Sequence, residues 1–389
     1  MSAYDNSNSG RRGRIIAISA IVLLGILVTL FMLKRHYENK IAARIAEELT
    51  YYSPIARLAN AEVDVSLLSS SITLRDVVYV FNNLPLTLSI AKITSTGVDR
   101  DALLDSPGAM THMDKLVMEN MLFSSQTQED ALFSTAYYEL NNLTYGYRDL
   151  RNTLREHKDS EDIAAWLRAL LPHMGGTIFG NAVLRDTKMN VPFYHQTMFK
   201  INIAEASSSG LRPLDPAVDG FDAIEDSSHI RDFLMEFTNF VDHETVYFKL
   251  EEIGMKGGKF NRAGLLTAVG DLLEEGADVE AGLFNLLALA HNYAFERFYF
   301  KNLQVNGNNI SFKLDDVDLT NHTPKEQGPD RLRNLRVTMG QRDIFTLEEA
   351  GLDKSVFSDR LVQIYSRMAE LLNNEEIIRE FADQPYETL

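Results

Sequence analysis

The groups in this chain whose types and spacing suit chemistry are three acidic pairs and one mixed cluster. The pairs are Glu251-Glu252, Asp315-Asp316 and Glu348-Glu349; the cluster is Asp242-His243-Glu244. Paired carboxylates can divide acid and base roles, and carboxylates with a histidine can hold a cation. The cluster has no second histidine at helical spacing, so it is not a zinc-protease HExxH site. No nucleophile elbow, Walker loop or dinucleotide fingerprint is present. Gly254-Met-Lys-Gly-Gly258 has too few features for a phosphate loop and suits a turn at a strand end.

The acidic pairs belong to a repeated phrase: apolar-x-apolar, two polar residues, apolar-x-apolar. It reads Ile72-Thr-Leu74-Arg-Asp-Val77-Val-Tyr79. It returns at Tyr138–Tyr145, Phe248–Met255, Phe298–Val305 and Phe312–Leu319. Phe345–Leu352 is a weaker copy and Leu88–Ile93 a partial one. The polar slot also holds Arg75-Asp76, Asn141-Asn142 and Lys301-Asn302, so it asks for polarity and not for acid. No catalytic function is expected, and no cofactor or metal.

A repeated phrase is the mark of an architecture built from one unit. Apolar residues two apart line one face of a strand. The spacing of three across the polar pair would move the second half to the other face unless a β-bulge absorbs one residue. Each copy is therefore expected to be a long strand with a bulge at its polar pair. A spacing of three also fits a helix, and Phe345–Leu352 could start one. Aromatic and β-branched residues in the other copies favour strand.

The chain has 389 residues and a formal net charge of −17, and it contains no cysteine. That charge argues against nucleic acid and against a polybasic grip on lipid, leaving apolar contact as the route to lipid. Disulfides, cysteine-held metals and cysteine nucleophiles are excluded.

Ile15 to Leu33 carries no charge and is long enough for one bilayer span. Arg11, Arg12 and Arg14 precede it and Lys34 and Arg35 follow. The rival is a cleaved signal peptide, whose apolar core is usually shorter. Basic residues flank both ends, so charge does not orient it. The short polar tail before it favours a cytoplasmic N-terminus and a body across the membrane.

The expected organisation is a tail at 1–14, an anchor at 15–33, a juxtamembrane helix at 34–50 and a first β-rich half at 51–206. A loop or linker at 207–226, a second β-rich half at 227–352 and an acidic helix at 353–389 follow. Helical insertions are expected at 148–171, 230–241 and 263–294. The fold class is α+β: a transmembrane helix, then a curved, mostly antiparallel sheet of bulged strands with helical insertions.

Val63–Val77, with the phrase Ser71-Ile-Thr-Leu-Arg-Asp-Val77, together with the anchor before it, resembles the AsmA-like family of bacterial envelope proteins. The resemblance covers the anchor and about the first hundred residues, with echoes at 298–320. It implies an inner-membrane protein with a periplasmic body that works in phospholipid transport or outer-envelope assembly, with no catalytic residues. The long helical insertions depart from the family pattern. Two functions follow as expectations. In one, an apolar sheet face lined by Leu74, Val77, Leu250, Ile253, Phe300 and Leu303 holds lipid acyl chains. In the other, helices seal that face and the protein is an anchored scaffold that binds another envelope protein.

Overall fold

The computed structural model describes residues 29–356 except 83, 105–107, 109, 126–130, 161, 163–164, 167–168, 171–172, 174–177, 194–196, 213–220, 240–243, 262–292, 308 and 324–325. Helix α1 spans residues 29–48 and runs into a 3-10 turn, Leu49–Tyr52. The strands are β1 Ala56–Ser66, β2 Ser71–Phe81, β3 Leu86–Thr96, β4 Thr111–Ser125, β5 Phe133–Tyr145, β6 Asn181–Phe193 and β7 Thr197–Ser209. After them come β8 Phe221–Asn239, β9 Glu244–Asn261, β10 Tyr293–Asn306, β11 Ile310–His322, β12 Glu326–Gln327, β13 Asp330–Met339, β14 Arg342–Leu352 and β15 Ser355–Val356. Short helices interrupt them: α2 Arg100–Leu103 and α3 Tyr147–Glu156, and residues 165–166, 169–170 and 173 are helical as well.

Thirteen of the strands make one sheet in chain order, from β1 to β14, while β12 and β15 pair apart from it. Every neighbouring pair is antiparallel, so the sheet is one long meander, curved and not closed.

The phrase bends the strands, but not by the expected two-against-one bulge. Pairing runs Arg75↔Lys92 and then Val77↔Ile90, omitting Asp76 and Ala91 together. It runs Lys301↔Asp316 and then Leu303↔Leu314, omitting Asn302 and Asp315. Both strands carry their extra residue at the same level, so the register is kept. The omitted positions fall in one row across the sheet. On every second strand the row holds a left-handed residue: Asp76, Asn120, Asp186, Asp232, Asn302 and Asn334, with φ between 48° and 53°. Asn and Asp tolerate this conformation better than other side-chained residues. A left-handed residue turns the chain so that apolar positions three apart share a face.

A second row lies six residues along each strand from the first, as Asp114 does from Asn120, or about 20 Å at strand rise. Here the left-handed residues sit on the other strands: Gly97, Asn142, Gly210, Gly257 and Asn321. Glycine is required where the neighbour crowds in. A Cβ on Gly210 would stand 2.2 Å from the Asp226 carboxylate, and one on Gly257 2.5 Å from Glu296. The sheet is thus creased along two parallel lines, encoded as Asn, Asp or Gly on alternate strands.

Helix α1 covers the β1–β4 end. Its Ile41 is buried against Val65, Val98, Leu103, Met113 and Leu143, and Ile45 and Leu49 pack on Leu74, Val77 and Ile90. Polar contacts fix its position. The Leu67 amide donates to Glu38 at 2.9 Å, the Arg44 guanidinium donates to the Ala102 and Leu103 carbonyls at 3.1 Å, and Arg151 meets Glu48 at 2.7 Å.

Several expectations are corrected. Residues 230–239, expected as helix, lie inside β8: Ile230-Arg-Asp-Phe233-Leu-Met235 is a further copy of the phrase, whose spacing of three imitates a helix. Ser207–Ser209 and 221–226, expected as linker, are strand, and Ser207, Ser208 and Ser209 pair with His229, Ser228 and Ser227. One sheet therefore runs through the place expected to divide two halves. Phe345–Leu352 is strand β14, as its copy of the phrase predicts, and the alternative of a helix start falls away. The expected insertion at 148–171 is helical in part: α3 ends at Glu156, and residues 165–166 and 169–170 are helical again. The insertion at 263–294 lies outside the described residues up to 292, and β10 has begun by Tyr293. The acidic tail lies outside them beyond 356, and its first two described residues in regular structure form β15.

The expected anchor at 15–33 also falls outside the described residues, apart from 29–33, which open α1 with Leu30, Phe31, Met32 and Leu33 exposed. Among the described residues no helix is long and apolar enough to cross a membrane.

Candidate functional site

The creases align apolar side chains across the whole sheet. One ladder runs Leu74, Ile93, Met118, Tyr138, Leu184 and Ala206, each paired with the next. It continues through Ile230, Ile253, Phe300, Val317 and Leu332 to Ala350. Beside it, across the first crease, a second ladder starts Val77, Ile90, Met121 and ends Leu303, Leu314, Leu335, Leu347. In the second ladder Thr135 and Thr187 replace apolar residues; they are buried, and the Thr187 hydroxyl donates to that of Thr135 at 3.1 Å.

All six residues singled out from sequence lie on this face. Leu74, Ile253 and Phe300 stand on the first ladder and Val77, Leu250 and Leu303 on the second, with Ile253 paired to Phe300. They do not form one pocket. Leu74 and Val77 are 8% and 1% exposed beneath α1, whereas Ile253, Phe300 and Leu303 are only half-buried. Leu250 is buried at the level of the crease.

Between these groups the face has a hollow of about 350 Å³. Tyr138, Leu184, Ile230, Ile253, Met255 and Phe298 line it, and the small side chains of Ala182, Ala206, Ser208 and Ser228 leave the room. Sequence reasoning missed Tyr138's neighbours here because β6 to β8 carry alanine, serine and threonine where the phrase elsewhere carries bulk. The available signal was Leu or Ile followed by Arg-Asp, which recurs at 74–76, 184–186 and 230–232.

The opposite face carries the paired charges. One position before each first-row residue stands a charged or aromatic group matched to its neighbour. Lys92 meets Glu119 at 2.8 Å, Arg185 meets Glu205 at 2.9 Å and lies over the Tyr137 ring, and Lys301 meets Glu252 at 2.7 Å. Arg333 reaches both Asp316 and Glu349. Hydrogen bonds from Arg185 and Lys301 hold the Glu205 and Glu252 carboxyls below the usual range. Burial alone would raise the pKa of Glu139. Hydrogen bonds from Lys115, Tyr137 and Asn141 overcome that and hold it down to about 2.

These contacts account for the acidic pairs. Glu252 is bonded to Lys301 and Tyr299, Asp315 to Lys313 and Asn334, and Asp316 and Glu349 to Arg333. Each such carboxylate is bonded to a neighbouring strand or to a lysine on its own strand. The Asp242-His243 part of the mixed cluster lies outside the described residues. What the arrangement offers chemically is a long apolar surface with a hollow in it, backed by a solvated ionic lattice.

No family model, curated protein or solved structure matches the chain.

Proposed function

We propose that this protein is a membrane-anchored envelope protein of the AsmA-like kind, and that its apolar sheet face holds lipid acyl chains. The anchor is the apolar stretch Ile15 to Leu33, with the N-terminus cytoplasmic and the sheet periplasmic, as in a bacterial inner-membrane protein. One observation carries the reading. The apolar ladder is unbroken across the strands from Leu74 to Ala350, yet the described helix α1 covers only its first strands. An apolar strip of that length is unfavourable in water, and a lipid tail laid along it is stabilised by about 0.8 kcal/mol for each methylene buried, before the costs of binding.

The test is mass spectrometry of an organic extract of the full-length protein, purified in a detergent that native lipids outcompete. The expected result is phospholipid in at least equal molar amount. Protein recovered folded and free of lipid overturns the reading.

A second reading rests on β14. Ile344, Phe345 and Leu352 are exposed there, and the strand pairs only with β13, so its outer edge is free among the described residues. A free, partly apolar edge suits strand addition by another envelope protein. Photo-crosslinking from position 344 in intact cells, giving no protein adduct, would remove this alternative.

A further inference from the structure

Glu225 is a buried carboxylate outside the ionic lattice. It lies on the apolar face, beyond the second crease from Ser228 and Ile230, and is 8% exposed. Among the described residues no lysine, arginine or histidine reaches it. Two serines do. Ser208 Oγ donates to one carboxylate oxygen at 2.9 Å and Ser228 Oγ to the other at 3.0 Å. Both serines line the 350 Å³ hollow. The neighbouring strand makes room for the carboxylate with Gly258, where a Cβ would stand 3.0 Å from Glu225 Cγ. Asp330, on the same face, is different, because His322 meets it at 2.9 Å.

A charge withdrawn from water is costly unless a counter-charge and hydrogen bonds meet it. The serines supply the hydrogen bonds, and no counter-charge stands beside them. Their hydroxyl protons are spent on the carboxylate. What remains at this end of the hollow is therefore acceptors only: the free lone pairs of Glu225 and of both serine oxygens. Such a set fits a group that is positive and carries several donors. An anionic or neutral hydroxyl head group gains less there, and a bare phosphate is repelled.

We propose that Glu225, Ser208 and Ser228 bind the protonated amine of an amphiphile whose tail lies in the hollow between Tyr138 and Phe298. This rests on the lipid-holding reading above and adds the class of head group. The ammonium donates to the carboxylate and the serine oxygens, and the tail leaves over Ala206 and Ile230 toward Ile253.

The test uses full-length protein and equimolar vesicles of dioleoyl phosphatidylethanolamine and dioleoyl phosphatidylglycerol, which share their tails and differ in the head. The protein is incubated with the vesicles and re-purified, and its lipid is quantified. The expected ethanolamine preference is about tenfold, the size of one charge-assisted hydrogen bond. Glu225→Gln is expected to bring the ratio down to that of the vesicles. Gly258→Ala, which pushes a methyl against the Glu225 stem, is expected to weaken the preference and serves if the first variant does not fold. Lipid bound without preference, or a preference surviving in both variants, overturns the amine site alone. Protein that takes up neither lipid overturns the groove reading and the site with it.

Discussion

The two ends of this sheet are built from the same ladder and meet different fates. At the β1–β4 end Leu74, Val77 and Ile90 are sealed beneath α1. At the β14 end Phe345, which belongs to the same face, is 49% exposed. The strands differ little in sequence pattern, so the phrase does not decide whether its face is a core or a surface. That is set by what lies across it. The comparison teaches that the repeat encodes a bent, one-faced strand, and that closure is a separate property supplied locally by Ile41, Ile45 and Leu49.

The strongest way to break the comparison is to place the same charge at both ends. Val77→Asp buries an unpaired carboxylate under α1 and is expected to cost about 3 kcal/mol or more. Leu347→Asp, on the same ladder at the open end, is expected to cost about 1 kcal/mol, because its carboxylate stays in contact with water. Urea denaturation measures both. Equal losses would mean that the β14 end is as closed as the β1 end.

Filling the hollow tests the middle of the sheet. Ala206→Trp places a large side chain among Leu184, Ile230 and Ile253. Bound lipid is expected to fall severalfold, with the urea midpoint unchanged or raised. A bulky residue that leaves lipid uptake intact would place the tails elsewhere.

The creases were legible only in part before the structure. Copies such as Leu74-Arg-Asp-Val77 and Phe300-Lys-Asn-Leu303 stand out because bulky residues flank the polar pair. Leu184-Arg-Asp-Thr187 does not, because Thr187 replaces the apolar residue and satisfies its hydroxyl on Thr135. Ile230-Arg-Asp-Phe233 reads as helix from sequence, since a spacing of three is shared with helix. The expected single-strand bulge missed that both partners carry the extra residue, a matter of register between strands that no single segment records. Glu225 was hidden for a different reason. It follows a Pro, Gly and Asp-rich stretch, and both Glu225 and its partner Ser208, 17 residues away, read as linker.

The creases should cost the same at either end, because a left-handed residue strains only its own backbone. Asp76→Val and Asp232→Val are each expected to destabilise by about 1–2 kcal/mol, and the glycine variants by a few tenths at most. Paired denaturation curves measure this. A much larger loss at Asp76 would mean that helix α1 holds the bend rather than the Asp itself.

The smallest expected effect separates the two faces. Glu139 points into the ionic lattice, where Lys115 lies 2.6 Å away and Asn141 donates at 2.8 Å. Its pKa in the folded chain is lowered to about 2 from an ordinary value of 4.5. A carboxyl lowered by folding binds fewer protons in the folded state than in the unfolded one. Its contribution is therefore full above about 4.5 and is lost as the pH falls through about 2. With solvent screening, Glu139→Gln is expected to cost about 1 kcal/mol at neutral pH and nothing near pH 2. Thermal melts across that range measure the difference, and repeating them with lipid-loaded protein sharpens it. Lipid on the apolar face should raise the midpoint of both proteins equally and leave the pH dependence of their difference unchanged. If the lipid shifts that dependence, the two faces of the sheet are coupled through the crease, and the lattice takes part in holding the ligand.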